Sequence, residues 1–375
     1  MAPTLTGSPT GLFLAETEVI TSHRQRHPAT PHHQTQQRYP WHIVWRNVIA
    51  FVYLHTASLY AIYLLFTTAK FVTFLWALFI AVLGGMGVTA GAHRLWAHKA
   101  YKAKWPLRVL LVLGQTMAFQ NHIYEWVRDH RVHHKFTDTD ADPHNSARGF
   151  FFSHIGWLML KKHRDVKEKG KTVDMSDLEK DWVIMLQKKV YVVAMPLLCF
   201  VIPTWVPVYF WGENAWTSWY VAAILRYTLT LNGTWLVNSA AHIWGTRPYD
   251  TTISPAENLS VAMIAFGEGW HNYHHAFPWD YKTSELGDYR FNLTTGLIDF
   301  FAKVGWAYDL KTAPLSMVRL RAQRKGDGTW EDPKMPQAGA GHRHNHHDGG
   351  LWGWGDADMT TEDLAMVEIT HRKSE

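Results

Sequence analysis

The chain has 375 residues, a formal net charge of +5 and one cysteine, Cys199, which excludes a disulfide framework and every zinc or iron–sulfur site built on cysteine. An apolar share of 47% excludes a wholly disordered chain, and a mean hydropathy of −0.19 conceals how tightly the apolar residues cluster. Trp and His are abundant, at 20 and 24 residues; Trp favours membrane interfaces and His is the commonest transition-metal ligand.

In chain order, residues 1–40 are polar, show little apolar periodicity and read as a flexible tail. Residues 48–69 and then 71–92 contain no Asp, Glu, Lys or Arg, and neither do residues 190–212. About 20 helical residues cross a bilayer core, so each run predicts a membrane span. A fourth segment, 214–241, is apolar except for Arg226, whose charge is expected to face the protein interior. The spans pair into two hairpins, joined around Lys70 and around Glu213. Between the hairpins, residues 93–189 hold 18 Lys or Arg, against one in the two short gaps. That asymmetry places the middle segment and both termini on the cytosolic side. No cleavable signal peptide stands at the start, so the first span reads as an uncleaved anchor. Pro106–Tyr124 and Gly149–Leu160 are apolar but short, suiting helices on the membrane surface or under a cytosolic cap. From residue 322 to 375 the composition turns to Gly, Asp and His and reads as a second flexible tail. The expected fold is an all-α integral membrane protein, with four transmembrane helices as two hairpins and a cytosolic helical cap. The functional domain covers 41–321.

Histidines outside the tails fall into tight groups: His93-x4-His98, His130-x2-His133-His134 and His271-x2-His274-His275, with a looser element Asn238-x3-His242. Positions three and four apart share a helix face, so each H-x2-H-H group aims at least two imidazoles one way. The five-residue step from His93 to His98 does not stack on an ideal α-helix and predicts a distortion near Leu95–Trp96. The first group follows span two and the Asn238 element ends span four, so all four elements can meet just above the membrane face. Without thiolate or carboxylate inside the groups, soft thiolate sites and hard all-oxygen sites are disfavoured; imidazole suits Fe, Cu, Zn and Ni. Nine ligands exceed the needs of one metal and fit two with open positions. Asn238 is a poor ligand, but its amide can hold a metal-bound water.

The stretches GAHRLWAH, QNHIYEWVRDHRVHHKF, DPHNSARGFFFSHIGWL, NSAAHIWG and GEGWHNYHHAFPWDY, in this order along a chain with two hairpins, resemble the histidine boxes of the membrane acyl-CoA desaturases. The likeness runs from about Trp41 to Asp309 and is nearest to the stearoyl-CoA (Δ9) branch with its insect relatives. The resemblance implies a di-iron centre held by His93, His98, His130, His133, His134, His242, His271, His274 and His275, with Asn238 holding a water. It implies that Fe2+, O2 and electrons from cytochrome b5 and its reductase remove two hydrogens from adjacent CH2 groups of a saturated acyl-CoA, leaving a cis alkene. The implied CoA contacts are Asn47, Asn121, Trp126, Arg128, Asp129, Lys161 and Lys162. Lys161 stands where a vertebrate relative has Arg, which loses bidentate phosphate geometry. The implied acyl tunnel bends at Gln120, Trp126, Thr234 and Trp235 and ends at Ala81 and Gly85. His122, His144, His154 and His163 lie outside the motif and are expected to be structural or at the surface. The resemblance also implies residence in the endoplasmic reticulum membrane and no nucleic-acid partner.

Rival expectations are a Δ11 or other regiospecific desaturase, a His-box hydroxylase or head-group desaturase, and a membrane metal transporter or scaffold. Transport sites lie near the membrane midplane, whereas these His sit at or beyond the helix ends. Only His55 is plainly intramembrane. No haem motif of a fused cytochrome b5 domain occurs, so the electron donor is expected to be a separate protein.

Overall fold

The structure is a computed structural model in which residues 41–285, 291–331 and 350–373 are described. The expected tail 1–40 and the His-rich run at His342, His344, His346 and His347 lie outside those residues.

Three helices among the described residues are long and apolar enough to cross a membrane: α1 (Trp45–Thr67), α2 (Phe71–Ala97) and, later in the chain, Trp182–Trp211. They overlap the expected spans but extend them at the polar ends, because α2 carries the first His pair and Trp182 starts a turn capped by Asp181. Their outward faces are apolar: Leu59 is 71%, Phe66 82% and Val192 81% exposed. Each such side chain is worth about 1.5–3 kcal/mol on leaving water, so these faces suit lipid. The chain is a membrane protein by these faces.

The fourth expected span behaves differently. Residues 215–238 form a continuous helical run, but Arg226, Thr228, Thr230 and Asn232 lower its hydropathy below that of the other three. It is an inner helix: Val221, Ala222, Ala223, Ile224 and Leu225 are all buried, and its 219–225 turn packs on α1 and α2. Arg226 points inward, as expected. Its Nη2 donates to the Cys199 carbonyl at 2.6 Å and its Nε to the Ala222 carbonyl at 3.0 Å.

Two helices complete the support for the histidines. They are α3 (Trp105–Ala118) and α4 (Ile123–Lys135); the long helix Trp182–Trp211 is α5 and the run 215–238 is α6. α3 crosses the end of α2 where Gly87 meets Gly114. A Cβ on Gly87 would stand 2.1 Å from the Gln115 backbone nitrogen, so only two glycines allow this approach. α4 starts at His122, whose Nδ1 accepts from the Glu125 backbone N–H at 3.2 Å. The polar side of α2 and both of these helices share one apolar core, including Leu107, Ile123, Val127, Val132, Leu178 and Ile184.

The expected C-terminal boundary at 322 falls inside the helix Leu315–Lys325, and residues 350–373 are docked rather than a free tail. Strand Glu368–Thr370 pairs antiparallel with Leu310–Thr312, and Trp352 and Met359 are buried. The Gly and Asp content that suggests mobility serves close packing: the Trp352 N–H donates to Asp356 Oδ2 at 2.9 Å, and Thr360 caps the helix Thr361–Met366.

Candidate metal centre

Each histidine group is carried by an element whose local geometry aims it. The last eleven residues of α2, Gly87–Ala97, wind as a π-helix, in which the backbone N–H of residue i+5 returns to residue i. The His98 N–H donates to the His93 carbonyl at 3.1 Å. The five-residue step thus stacks, with ring centroids 4.7 Å apart; the expected distortion is a whole π segment rather than a local break. α4 presents His130, His133 and His134; the short helix His271–Ala276 (α7) presents His271, His274 and His275. His242 follows α6 after a break at Ser239.

All nine meet. His93, His98, His130, His134 and His274 form one set and His133, His242, His271 and His275 a second, the ligand atoms of each lying within 4.8 Å of one another. The sets touch where the rings of His134 and His275 stack at 4.0 Å. Their Nε2 atoms converge: His93 on His274 at 3.0 Å, His98 on His130 at 2.9 Å, and His242 on His271 at 3.0 Å.

Four of the nine rings have an acceptor beside Nδ1. Asp142 Oδ1 stands 2.9 Å from His133 Nδ1, and the Trp352 carbonyl 2.5 Å from His98 Nδ1. Glu268 lies 2.9 Å from His93 Nδ1 and is itself paired with Arg94 at 2.8 Å. Ser254 Oγ, held by Asp138, lies 3.3 Å from His242 Nδ1. A proton kept on Nδ1 by these acceptors leaves a lone pair on Nε2. Burial holds His98, His130, His134, His271, His274 and His275 well below the ordinary imidazole pKa, so these rings are neutral. Burial also opposes charge on His133, but the Asp142 carboxylate outweighs it and raises that pKa. Neutral imidazoles with lone pairs directed at one another repel unless a cation stands among them. The donor set therefore fits transition metal, one ion per set, with the carboxylates of Asp138, Asp142 and Glu268 around it.

The sequence alone gave these outer residues no role. Glu268 and Asp142 stand inside quoted stretches, GEGWHNYHH and DPHNSAR, and their spacing to His271 and His144 was the available signal. His144 is buried: its ring lies 4.4 Å from Trp157, and burial lowers its pKa to about 3. His154 bridges Asn232 and Ser239, and His122 and His163 cap helices, all structural as expected.

Two cavities open on the first histidine set. An outer one of ≈ 770 Å³ is lined by Asn47, Asn121, Asp129, Lys162 and Trp235, among others. An inner, mostly apolar one of ≈ 400 Å³ reaches down α2 past Ala81 and Gly85. Both are lined by Gln120, Trp126, His130, Thr234 and Asn238, so the two adjoin beside His130. Gln120 Nε2 donates to Thr234 Oγ1 at 2.8 Å, and the Trp126 ring stacks on His130 at 4.9 Å. Gly85 faces Phe266, whose ring atom lies 2.2 Å from where a Cβ would be. Phe266 is thus part of the inner end, which sequence reasoning missed.

The other proposed contacts are less directly placed. Lys162 pairs with Asp129 and, at 3.2 Å, with Glu125. Arg128 pairs with the same two carboxylates and does not line the outer cavity. Asn47 lines it while donating to the Leu158 carbonyl at 2.7 Å. Lys161 is exposed and outside the cavity lining.

Comparison with known proteins agrees with this site. The Fatty acid desaturase family profile matches residues 69–293. Over 378 residues, 100% of both chains, the sequence is 57% identical to a protein of Acheta domesticus named acyl-CoA Delta-9 desaturase. It is 52% identical over 347 residues to the acyl-CoA Delta-12 desaturase of Tribolium castaneum, covering 92% of this chain and 97% of that one. It is 56% identical over 287 residues to stearoyl-CoA desaturase 5 of Bos taurus, covering 76% and 85%. The chain belongs to the fatty acid desaturase family.

Proposed function

We propose that this protein is an acyl-CoA desaturase that inserts a cis double bond, at Δ9, into a saturated fatty acyl-CoA. The observation that carries the reading is that two cavities adjoin at His130 in the nine-histidine cluster, as a chain bent at that point would require. A fatty chain enclosed there has its methyl end in the inner, apolar cavity and its thioester end toward Lys162 and Asn47. One CH2–CH2 unit then lies at the turn. In the overall reaction that unit and O2, with two electrons and two protons, yield a CH=CH unit and two waters.

The proposed metals are two ferrous irons, and when bound they supply O2 activation and abstraction of two hydrogens from adjacent carbons. The protein's own residues do the rest. Trp126, stacked on His130, and the Gln120–Thr234 pair set the torsion of the chain at the turn, which favours a cis product. Asn238, lining both cavities four residues before His242, holds a water on the four-histidine side. The apolar inner cavity excludes bulk water from the reacting carbons. Lys162 is the cation proposed to meet a CoA phosphate at the outer mouth.

The proposed topology has four spans, with α6 as the fourth, both termini cytosolic and the histidines above the cytosolic face of the endoplasmic reticulum membrane. Cytochrome b5 with its reductase is the proposed electron source. Expression in a desaturase-deficient yeast, followed by mass-spectrometric location of the double bond, tests the reading. Δ9-unsaturated products support it. Products at Δ11 or Δ12, the positions in the names of other similar insect proteins, would keep the chemistry and replace the position. A strain that still requires unsaturated fatty acid would overturn it.

A further inference from the structure

The segment following residue 349 lies directly on the metal ligands, and no role for it follows from the chemistry above. The Trp352 carbonyl accepts from His98 Nδ1 at 2.5 Å, and the Trp354 N–H donates to the His98 carbonyl at 2.9 Å. One ligand is thereby held through both its ring and its backbone. Two glycines make the approach possible. A Cβ on Gly353, at φ +148°, would stand 2.4 Å from the His98 carbonyl oxygen, and one on Gly350 would stand 2.1 Å from that of His134. The segment is fastened on either side. The Arg131 guanidinium lies 4.2 Å over the Trp352 ring, while donating to the carbonyls of Trp96 and Ala97 in the turn before His98. Lys135 pairs with Asp356 at 3.0 Å and Asp358 at 2.7 Å.

We propose that residues 350–359 are a strap that positions His98 and so retains one metal of the pair, the one in the five-histidine set. The proposal rests on the metal-centre reading. The Trp352 carbonyl accepts a hydrogen bond from Nδ1–H and keeps the Nε2 lone pair of His98 turned toward His130 and the shared site. With the strap lifted, His98 Nδ1 would meet water and its ring would be free to rotate. The four-histidine set touches no residue of the strap in the contacts above; its Nδ1 partners are Asp142 and Ser254. The strap therefore acts on one metal, not both. Loss of such an outer partner weakens metal binding by about 10–100-fold.

The test uses the full chain purified in detergent and loaded with ferrous iron. Release to a coloured chelator is followed in time, alongside elemental analysis and Mössbauer spectra. The variants are a chain ending after Glu331, the point variant Gly353→Val, and the shortened chain supplemented with a synthetic peptide of residues 350–373. One iron per chain leaving about tenfold faster or more, with the second at the wild-type rate and one altered Mössbauer doublet, is the expected result. The peptide should restore slow release. Release unchanged in Gly353→Val and in the shortened chain would overturn the strap, as would equal acceleration of both irons. A wild-type chain that holds no iron would overturn the metal-centre reading itself and the strap with it.

Discussion

Asn238 shows how one side chain separates metal binding from turnover. It lines both cavities and stands four residues before His242 of the four-histidine set. Asn238→Ala should keep wild-type iron content while activity falls by about 10–100-fold. Elemental analysis beside product yield checks this, and loss of an iron would make Asn238 a ligand. Glu257 offers a pH test remote from the chain's proposed tunnel. Burial pushes its carboxyl pKa up to about 8 from an ordinary 4.5, although it accepts from the Tyr273 N–H at 2.7 Å. Below pH 4.5 the folded and unfolded forms both hold the proton. Between there and about 8 only the folded form does, so this residue's contribution to stability falls as pH rises. Glu257→Gln should gain in melting temperature relative to the unmodified protein across that window and level off above it. A difference independent of pH would contradict the buried neutral acid.

At the scale of elements, α2 does two things with its small residues, and the two are separable. Gly87 belongs to the crossing with Gly114. Gly87→Ala should destabilise by about 1–3 kcal/mol or more, because the added methyl meets backbone that has no rotamer to change. Thermal unfolding in detergent should show this together with reduced iron content, since the π segment that carries His93 begins there. Ala81 faces the inner cavity instead. Ala81→Tyr should shift products from 18-carbon toward 16- and 14-carbon chains while total conversion of short chains survives. Equal loss at all lengths in the product profile would assign Ala81 to packing. Gly85 suits this test poorly, because any side chain there strikes Phe266 before it narrows the cavity. The difference illustrates what the sequence made legible. Ala81 and Gly85 share a helical face by spacing alone, and so do His130, His133 and His134. Phe266 comes from a left-handed turn 181 positions after Gly85, with φ +57°, and no spacing rule links the two. The five-residue step in the first box announced irregularity. It is resolved by an eleven-residue π segment that packs on α3, and no spacing rule gives its length.

For the whole molecule, the outer and inner ends of the proposed tunnel should respond differently to mutation. Lys162 is held by Asp129 and Glu125 in the lining of the outer cavity. Lys162→Ala should raise the apparent KM for acyl-CoA much more than it lowers kcat, since a remote phosphate contact supports ground and transition states alike. Binding to the unmodified protein should also weaken with salt, charges at the surface being screened within about 8 Å at physiological ionic strength. An unchanged KM in both measurements would return Lys162 to a purely structural ion pair. The architecture was readable where chemistry repeats along the chain: apolar runs gave three helices of membrane length, and boxes gave the nine histidines that cluster. It was not readable where partners are backbone atoms. The Trp352 carbonyl carries no residue-type signature, and a Gly-Asp-rich composition suits both a free tail and a closely docked one. Likewise the hydropathy of 214–241 does not distinguish a lipid-facing helix from one enclosed by its neighbours.

The distribution of the ligands along the chain also imposes an order in time. Polypeptides emerge and fold from the N-terminal end during synthesis. When α4 has been made, His93, His98, His130 and His134 are present, but the fifth member of their set is His274. At that stage the second set has His133 alone; it gains His242 later and needs both His271 and His275. Neither set is complete until nearly three quarters of the protein exists, and both are completed by the same short helix. On the proposed metal-centre reading, full loading of either set is therefore a late event in biogenesis, and a chain interrupted before residue 271 leaves one set lacking a single histidine and the other lacking half.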